Sequence, residues 1–325
     1  MEKRDLETVQ YYETVGQVFL GLPGSSPLKL LKELNQSNGG ITEEDFFCSH
    51  YETFGRQWPP YHSVFWSLDE EKDYFRSHLF SFFEDEDDFK KRPEFKKESP
   101  DHIGLHFLFL SHLLRRELEA PSNKTLRKRQ HFFDSYLFPF CKFFLLTLEK
   151  ESACLFGVLA KDLFKKMMDD FKGPSSNYSP PESVYQEAPY TGTVVPAPSL
   201  FSKDLGLKDM TAYLLNPSKV GFFLGQKGLR DCARSCEVPI GFGKRGETLL
   251  QLFYTSLDFE KLGALLEALK REVQTWILFY KKKKEELQAF SSYWDILIGR
   301  SKRALNFINE VKLVSETKGH DPISF

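Results

Sequence analysis

Three stretches combine residue types whose spacing could do chemistry. The first is Trp58-Pro59-Pro60-Tyr61-His62-Ser63-Val64-Phe65-Trp66. Two prolines hold its backbone extended, and Tyr61, Phe65 and Trp66 offer amphipathic contact area at little entropic cost, which suits gripping a peptide. The plainer alternative is a loop stapled to the core by its own aromatics. The second is Glu98-Ser99-Pro100-Asp101-His102, with His106 one helical turn on. Two imidazoles at i and i+4 share a helix face and could ligate a metal, but His102-Ile103-Gly104-Leu105-His106 lacks the Glu of a zinc-protease motif. The alternative is a capped helix start, with Ser99 as N-cap, Pro100 at the first helical position, Asp101 complementing the dipole and His102 satisfying neighbouring backbone groups. The third is Gly241-Phe242-Gly243-Lys244-Arg245-Gly246, a GxGxxG string ahead of a helix expected at 247–257. Gly243, Lys244 and Arg245 form a weak anion-binding candidate, because a helix N-terminus and two cations favour phosphate. The string has no preceding strand and no P-loop ending, so an ordinary helical corner is the competing reading.

The same corner, residues 228–257, imitates a DNA-binding helix-turn-helix, but Leu249, Leu250, Leu252 and Phe253 make its second helix too apolar to read a groove. Cys232 and Cys236, at i and i+4, have no nearby thiols or imidazoles to complete a zinc set and read as buried helix-face thiols.

These stretches must be positioned by helices. From residue 5 to 172 apolar residues recur at three and four, which predicts helices over roughly 5–20, 26–35, 42–54, 69–83, 100–119, 127–148 and 151–172. Six prolines between Gly173 and Lys203 forbid a helix there and mark a linker or wrapping arm. Within it, Pro180-Pro181-Glu182-Ser183-Val184-Tyr185 echoes the first loop by chance or as a mimic of its ligand. Helical periodicity returns at roughly 208–215, 226–237, 244–257, 258–290 and 293–315. Lys281-Lys282-Lys283-Lys284 reads as a solvated face over an apolar stripe. The expected fold is therefore all-α: a helical domain at 1–172, a Pro-rich linker at 173–203 and a C-terminal helical extension at 204–325.

Composition limits the function classes. The 325 residues include 32 phenylalanines, 15% aromatics and 28% charged residues, the balance of a globular and not a disordered chain. Forty-four Lys and Arg against 46 Asp and Glu provide no general field for nucleic acid. The most apolar stretch, Leu137 to Leu148, is too short to span a bilayer and contains Pro139 and Lys142, so no membrane insertion is expected. A charged N-terminus without a secretory pattern, and five sparse cysteines expected to be reduced and buried, fit a cytoplasmic protein.

Two motifs then carry a resemblance. Pro59-Pro60-Tyr61-His62-Ser63-Val64-Phe65, followed some 35 residues later by Glu98-Ser99-Pro100-Asp101-His102-Ile103, resembles the TorD-like family, which includes the NarJ and DmsD types. Val18-Phe19-Leu20-Gly21-Leu22-Pro23 and the stretch from Asp45-Phe46-Phe47 to Phe54-Gly55 are similar to that family's first helices, so the likeness covers roughly residues 10–172. It implies an all-helical, non-enzymatic cytoplasmic chaperone, without cofactor or metal, that acts as a monomer or homodimer. Its partner would be the apo catalytic subunit of a molybdopterin oxidoreductase or its twin-arginine signal peptide, held until the cofactor is inserted. By motif position and the aromatic content of the loop, the expected client-binding residues are Pro60, Tyr61, Ser63, Phe65, Trp66, Glu98, Asp101 and His102. His62 and His106 stand where the family commonly has Glu. The missing acid is expected from residues 69–88, which carry nine carboxylates against Lys72 and Arg76, unless Glu84-Asp85-Glu86-Asp87-Asp88 is simply a solvated loop. The rival functions are a metal-dependent enzyme using His102 and His106, and nucleic-acid binding through 228–257.

Overall fold

The computed structural model describes residues 3–35, 40–65, 69–151, 155–170, 206–288 and 291–317. The expected linker 173–203, with its Pro180–Tyr185 echo, and Trp66 lie outside them. Among the described residues the chain is α-helical with no strand, as its periodicity predicts. It divides into two units, Met1–Tyr190 and Thr191–Phe325.

In the first unit, α1 (Lys3–Phe19) packs along α7 (Ile103–Glu119), and α9 (Phe138–Glu151) along α10 (Leu155–Asp170). The first pair comes close because two glycines face each other. A Cβ on Gly104 would lie 2.8 Å from the Gly16 carbonyl oxygen, and one on Gly16 would lie 2.9 Å from that of Gly104. Any side chain there would push the helices apart. α7 is buried on all sides over Ile103–Ser111, which makes it the central helix its sequence predicts.

The phenylalanines fill this unit in two groups. Phe19, Phe54, Phe107, Phe144 and Phe156 meet edge-on or stacked between α1, α7, α9 and α10. Phe83, Phe89, Phe109 and Phe132 meet tilted or edge-on on the other side of α7. Centroid spacings of 4.7–6.1 Å lie in the favourable range for aromatic pairs.

Several boundaries differ from expectation. The helix expected at 42–54 is α3 (Glu43–His50) followed by a π-helical stretch, Tyr51–Gln57. The one expected at 127–148 begins earlier, as α8 (Asn123–Phe132), and passes through a second π stretch, Phe133–Leu137, into α9. Two short helices, α5 (Asp87–Lys90) and α6 (Pro93–Lys97), follow α4 (Asp69–Glu84) where no element was expected. Their apolar content is one phenylalanine each, Phe89 and Phe95, too little to produce a periodic signal. Cys141, Cys232 and Cys236 are buried as expected, but Cys48 is exposed.

In the second unit the helices are α11 (Leu207–Leu214), α12 (Pro217–Val220), α13 (Gln226–Cys236), α14 (Arg245–Asp258), α15 (Leu262–Glu286) and α16 (Ser291–Thr317). α15 lies along α16, and Trp276, Tyr280, Tyr293 and Trp294 fill the space between them. Gly221 closes this core. At φ +78° it takes a conformation that L side chains rarely adopt, and its carbonyl accepts the Tyr280 hydroxyl at 2.7 Å. Of the four lysines at 281–284, Lys283 is buried and reaches Glu286 at 3.3 Å, while Lys281 and Lys282 are exposed. Among the described residues no helix is long and apolar enough to cross a membrane.

Candidate functional site

The two motif stretches meet. The Pro-Pro loop runs antiparallel to the segment before α7: the His62 N–H donates to the Asp101 carbonyl at 2.9 Å, and the Ile103 N–H to the Pro60 carbonyl at 2.8 Å. Prolines account for the short length of the pairing, because Pro59, Pro60 and Pro100 have no N–H to extend it.

Asp101 sits at the junction with no exposure to solvent. One carboxylate oxygen accepts the Ser63 N–H at 3.1 Å, and the other accepts the Ser99 hydroxyl and lies 3.3 Å from Arg76 Nε. Arg76, from α4, also donates to the Ser63 hydroxyl at 3.0 Å. Burial by itself would raise the Asp101 carboxyl, but these hydrogen bonds and the Arg76 guanidinium outweigh it and hold the group below the usual carboxylate range.

α7 therefore starts differently from the expectation. The helix begins at Ile103, not Pro100, and its N-cap is His102, whose Nδ1 accepts the Gly104 N–H at 3.0 Å. Ser99 and Asp101 are not cap and dipole partner, because the Ser99 hydroxyl donates to Asp101 and Asp101 is engaged with the loop. An accepting Nδ1 fixes His102 as the neutral Nε2–H tautomer. Burial, then the neighbouring His106, pushes its imidazole down to about 3. His106, whose Nε2 lies 3.2 Å from the Pro100 carbonyl, is pushed down to about 4 by burial. His62 packs 4.7 Å from the Phe140 ring and is likewise held well below its ordinary value by burial. Where the resemblance leads one to expect Glu at 62 and 106, the fold has buried neutral imidazoles. A bare carboxylate in those places would be strongly disfavoured.

Tyr61 and Glu98 form the open edge of the arrangement. Both are half-buried, and the Tyr61 hydroxyl donates to Glu98 Oε1 at 3.0 Å, as does the Ser99 N–H. Burial, then this bond, raises the phenol to about 12, so Tyr61 stays a donor. Glu98 has no ion pair among the described residues.

The structure thus brings together Pro60, Tyr61, Ser63, Glu98, Asp101 and His102. Phe65 lies in a 3-10 turn, His62–Phe65. Sequence reading gave Arg76 no part in the site, set His62 only as a departure from the family's Glu, and made Ser99 a helix cap. Arg76 carries no local signal, being 25 positions from the carboxylate it approaches. The histidines do not gather a metal set: among the described residues no group of three or more His, Cys, Asp or Glu is placed to hold one.

The acidic stretch also departs from expectation. Glu86 is neither a solvated residue nor one open to a client. It is 5% exposed, receives Lys128 at 2.7 Å together with Arg116 and His112, and is driven down to about 2 because these partners outweigh burial. Asp85, Asp87 and Asp88 do face solvent.

In the second unit the anion-binding candidate is internally occupied. Glu247 Oε2 accepts the Lys244 N–H at 3.0 Å, the Gly243 carbonyl takes Gln226 at 2.9 Å, and Arg245 turns inward over the Phe223 ring to the Leu215 carbonyl. Burial lowers the Arg245 guanidinium to about 9. A phosphate would meet a carboxylate there, and of the two cations only Lys244 is exposed. The groove-reading alternative loses the same arginine.

Residues 30–145 match the family model described as nitrate reductase delta subunit. The match spans both motifs and the pairing between them. No curated protein and no solved structure matches the chain.

Proposed function

We propose, from the match of residues 30–145 to the nitrate reductase delta subunit family model, that this protein is a cytoplasmic chaperone of the NarJ/TorD type that binds the apo catalytic subunit of a molybdopterin oxidoreductase. It acts by binding and not by catalysis. It holds the client, through a basic and apolar segment such as a twin-arginine signal peptide, until the cofactor is in place.

The observation that carries this reading is the open edge at Tyr61 and Glu98, supported from beneath by Asp101. Glu98 keeps Oε2 for a guanidinium, and charge-assisted pairs of this kind are the strong ones. Asp101, Ser63 and His102 are enclosed and act as positioning residues that fix the loop against α7. Phe65 and Trp66 are further candidate client contacts by their place in the loop's sequence.

The test is calorimetric titration of the full chain with N-terminal peptides of the molybdoenzyme catalytic subunits from the same cell. One of them should bind, and Glu98→Gln should weaken it about tenfold, the loss of one charged hydrogen bond, with unchanged thermal stability. Absence of binding by every such peptide, together with no molybdoenzyme subunit co-purifying, would overturn the proposal.

A further inference from the structure

We propose that the second unit has a docking surface of its own, along the solvent side of α14, for a peptide segment that combines apolar with basic side chains. Four large apolar side chains are exposed within one short stretch: Phe242 completely, Phe259 at 57%, Tyr254 at 50% and Leu257 at 37%. Large side chains gathered in this way on a surface mark interaction sites, whereas scattered ones do not.

The surface is built, not slack. Phe242 stands between two glycines whose backbone lies against the helix: a Cβ on Gly241 would fall 2.1 Å from Gln251 Oε1, and one on Gly243 would fall 2.8 Å from Glu247 Oε2. Gln226, Lys244 and Thr248 anchor the same loop through the Gly243 carbonyl and the Glu247 carboxylate. Glu247, Gln251, Tyr254 and Asp258 follow one another at spacings of four, three and four, so they share one face. The loop that carries Phe242 therefore lies along the first turns of that face, with Tyr254 next, while Leu257 and Phe259 leave to either side of Asp258 at its end. At 1.5 Å per residue the face is about 16 Å long, the span of two to three helical turns or about five extended residues.

Charge specifies the occupant. Residues 191–325 contain 20 Lys and Arg against 15 Asp and Glu, yet this surface reverses the sign. Glu237, Glu247, Asp258 and Glu260 border it against Lys244 and Lys261, and Lys261 is already 3.9 Å from Glu237. Asp258 and Glu260 have no ion pair among the described residues. An apolar segment with flanking Lys or Arg is complementary, and an acidic one is repelled. A second copy of the chain fits less well. At ~150–250 Å² for a full aromatic side chain, the exposed parts of these four residues fall short of the ~800 Å² per partner of a standard interface.

The experiment uses phage-displayed random 12-residue peptides, precleared on the Phe242→Ser/Tyr254→Ser double variant and then selected on the full wild-type chain. Both substituted side chains are exposed, and the variant's circular dichroism and melting should match wild type. Enriched peptides should carry Lys or Arg beside apolar residues, bind the double variant at least tenfold more weakly, in the range of one lost hot spot, and weaken with Asp258→Lys/Glu260→Lys. No enrichment, or enrichment of peptides without basic residues, would overturn the proposal. So would a wild-type dimer in sedimentation velocity that the double variant dissolves, because the surface would then belong to self-association.

Discussion

At the level of single residues, two carboxylates that are close in sequence do opposite work. Glu98 is half-buried and has no ion pair among the described residues, whereas Asp101 is enclosed by Ser63, Ser99 and Arg76. Asp101→Asn should cost about 2–3 kcal/mol in urea denaturation, because a buried charged hydrogen-bond set is worth roughly that, while Glu98→Gln should leave stability unchanged. Equal destabilisation by the two would contradict this division. The imidazoles set the response to acid. His102 and His106 have folded values of about 3 and about 4, below the ordinary 6.5. Between pH 6.5 and 4 the unfolded chain therefore takes up protons that the folded one refuses, so stability is intact above that window and falls as pH drops through it. His106 alone accounts for about 3 kcal/mol of that loss. The stability of His106→Gln should depend on pH less steeply between 6.5 and 4, and an unchanged slope would remove His106 from the account.

Among the elements, the central helix was the most legible and its start the least. The apolar run of Ile103, Phe107, Leu110 and Leu114 predicts α7, and the structure buries it. Ser-Pro-Asp has the chemistry of a helix cap, yet a distant loop claims Asp101, which in turn takes the Ser99 hydroxyl, and His102 caps instead. No local rule reports that competition, because Arg76 and Ser63 reach the carboxylate from 25 and 38 positions away. The same holds for Glu86: an acidic run reads as solvated until Arg116 and Lys128 arrive from α7 and α8. The α1–α7 crossing depends on spacing that only the fold reveals. Gly104→Ala should lower stability by about 2–3 kcal/mol, the usual cost of overpacking, because its nearest neighbours include the Gly16 backbone. A variant as stable as wild type, measured by chemical denaturation, would show that the helices can separate freely.

For the whole molecule, the family match ends at residue 145 and leaves the second unit to be understood from its own core. Trp276, Tyr280, Trp294, Leu265, Leu269 and Phe307 are all buried there, enough for independent folding by the usual measure of a domain with its own core. Residues 204–325, produced alone, should be helical and melt in one cooperative transition; a broad, non-cooperative melt would show that this unit needs the rest of the chain. Composition and periodicity revealed the helical class and the return of helices after the prolines. They could not reveal the second unit's surface, because an exposed Phe242 and a buried phenylalanine look alike in a sequence.

The first unit also imposes an order on its own synthesis. Tyr11 and Tyr12 of α1 donate to Asp162 and Asp170 of α10, at 2.7 and 2.9 Å, across separations of 151 and 158 residues. At ~5–20 residues per second, the ribosome needs about 8–30 s to make the second half of those pairs after the first has emerged. Throughout that interval α1 can pair with α7, which is made earlier, but the hydroxyls of Tyr11 and Tyr12 have no carboxylate from α10 to close on. A protein proposed to shelter unfinished enzymes is, during its own birth, a nascent chain with an unfinished core.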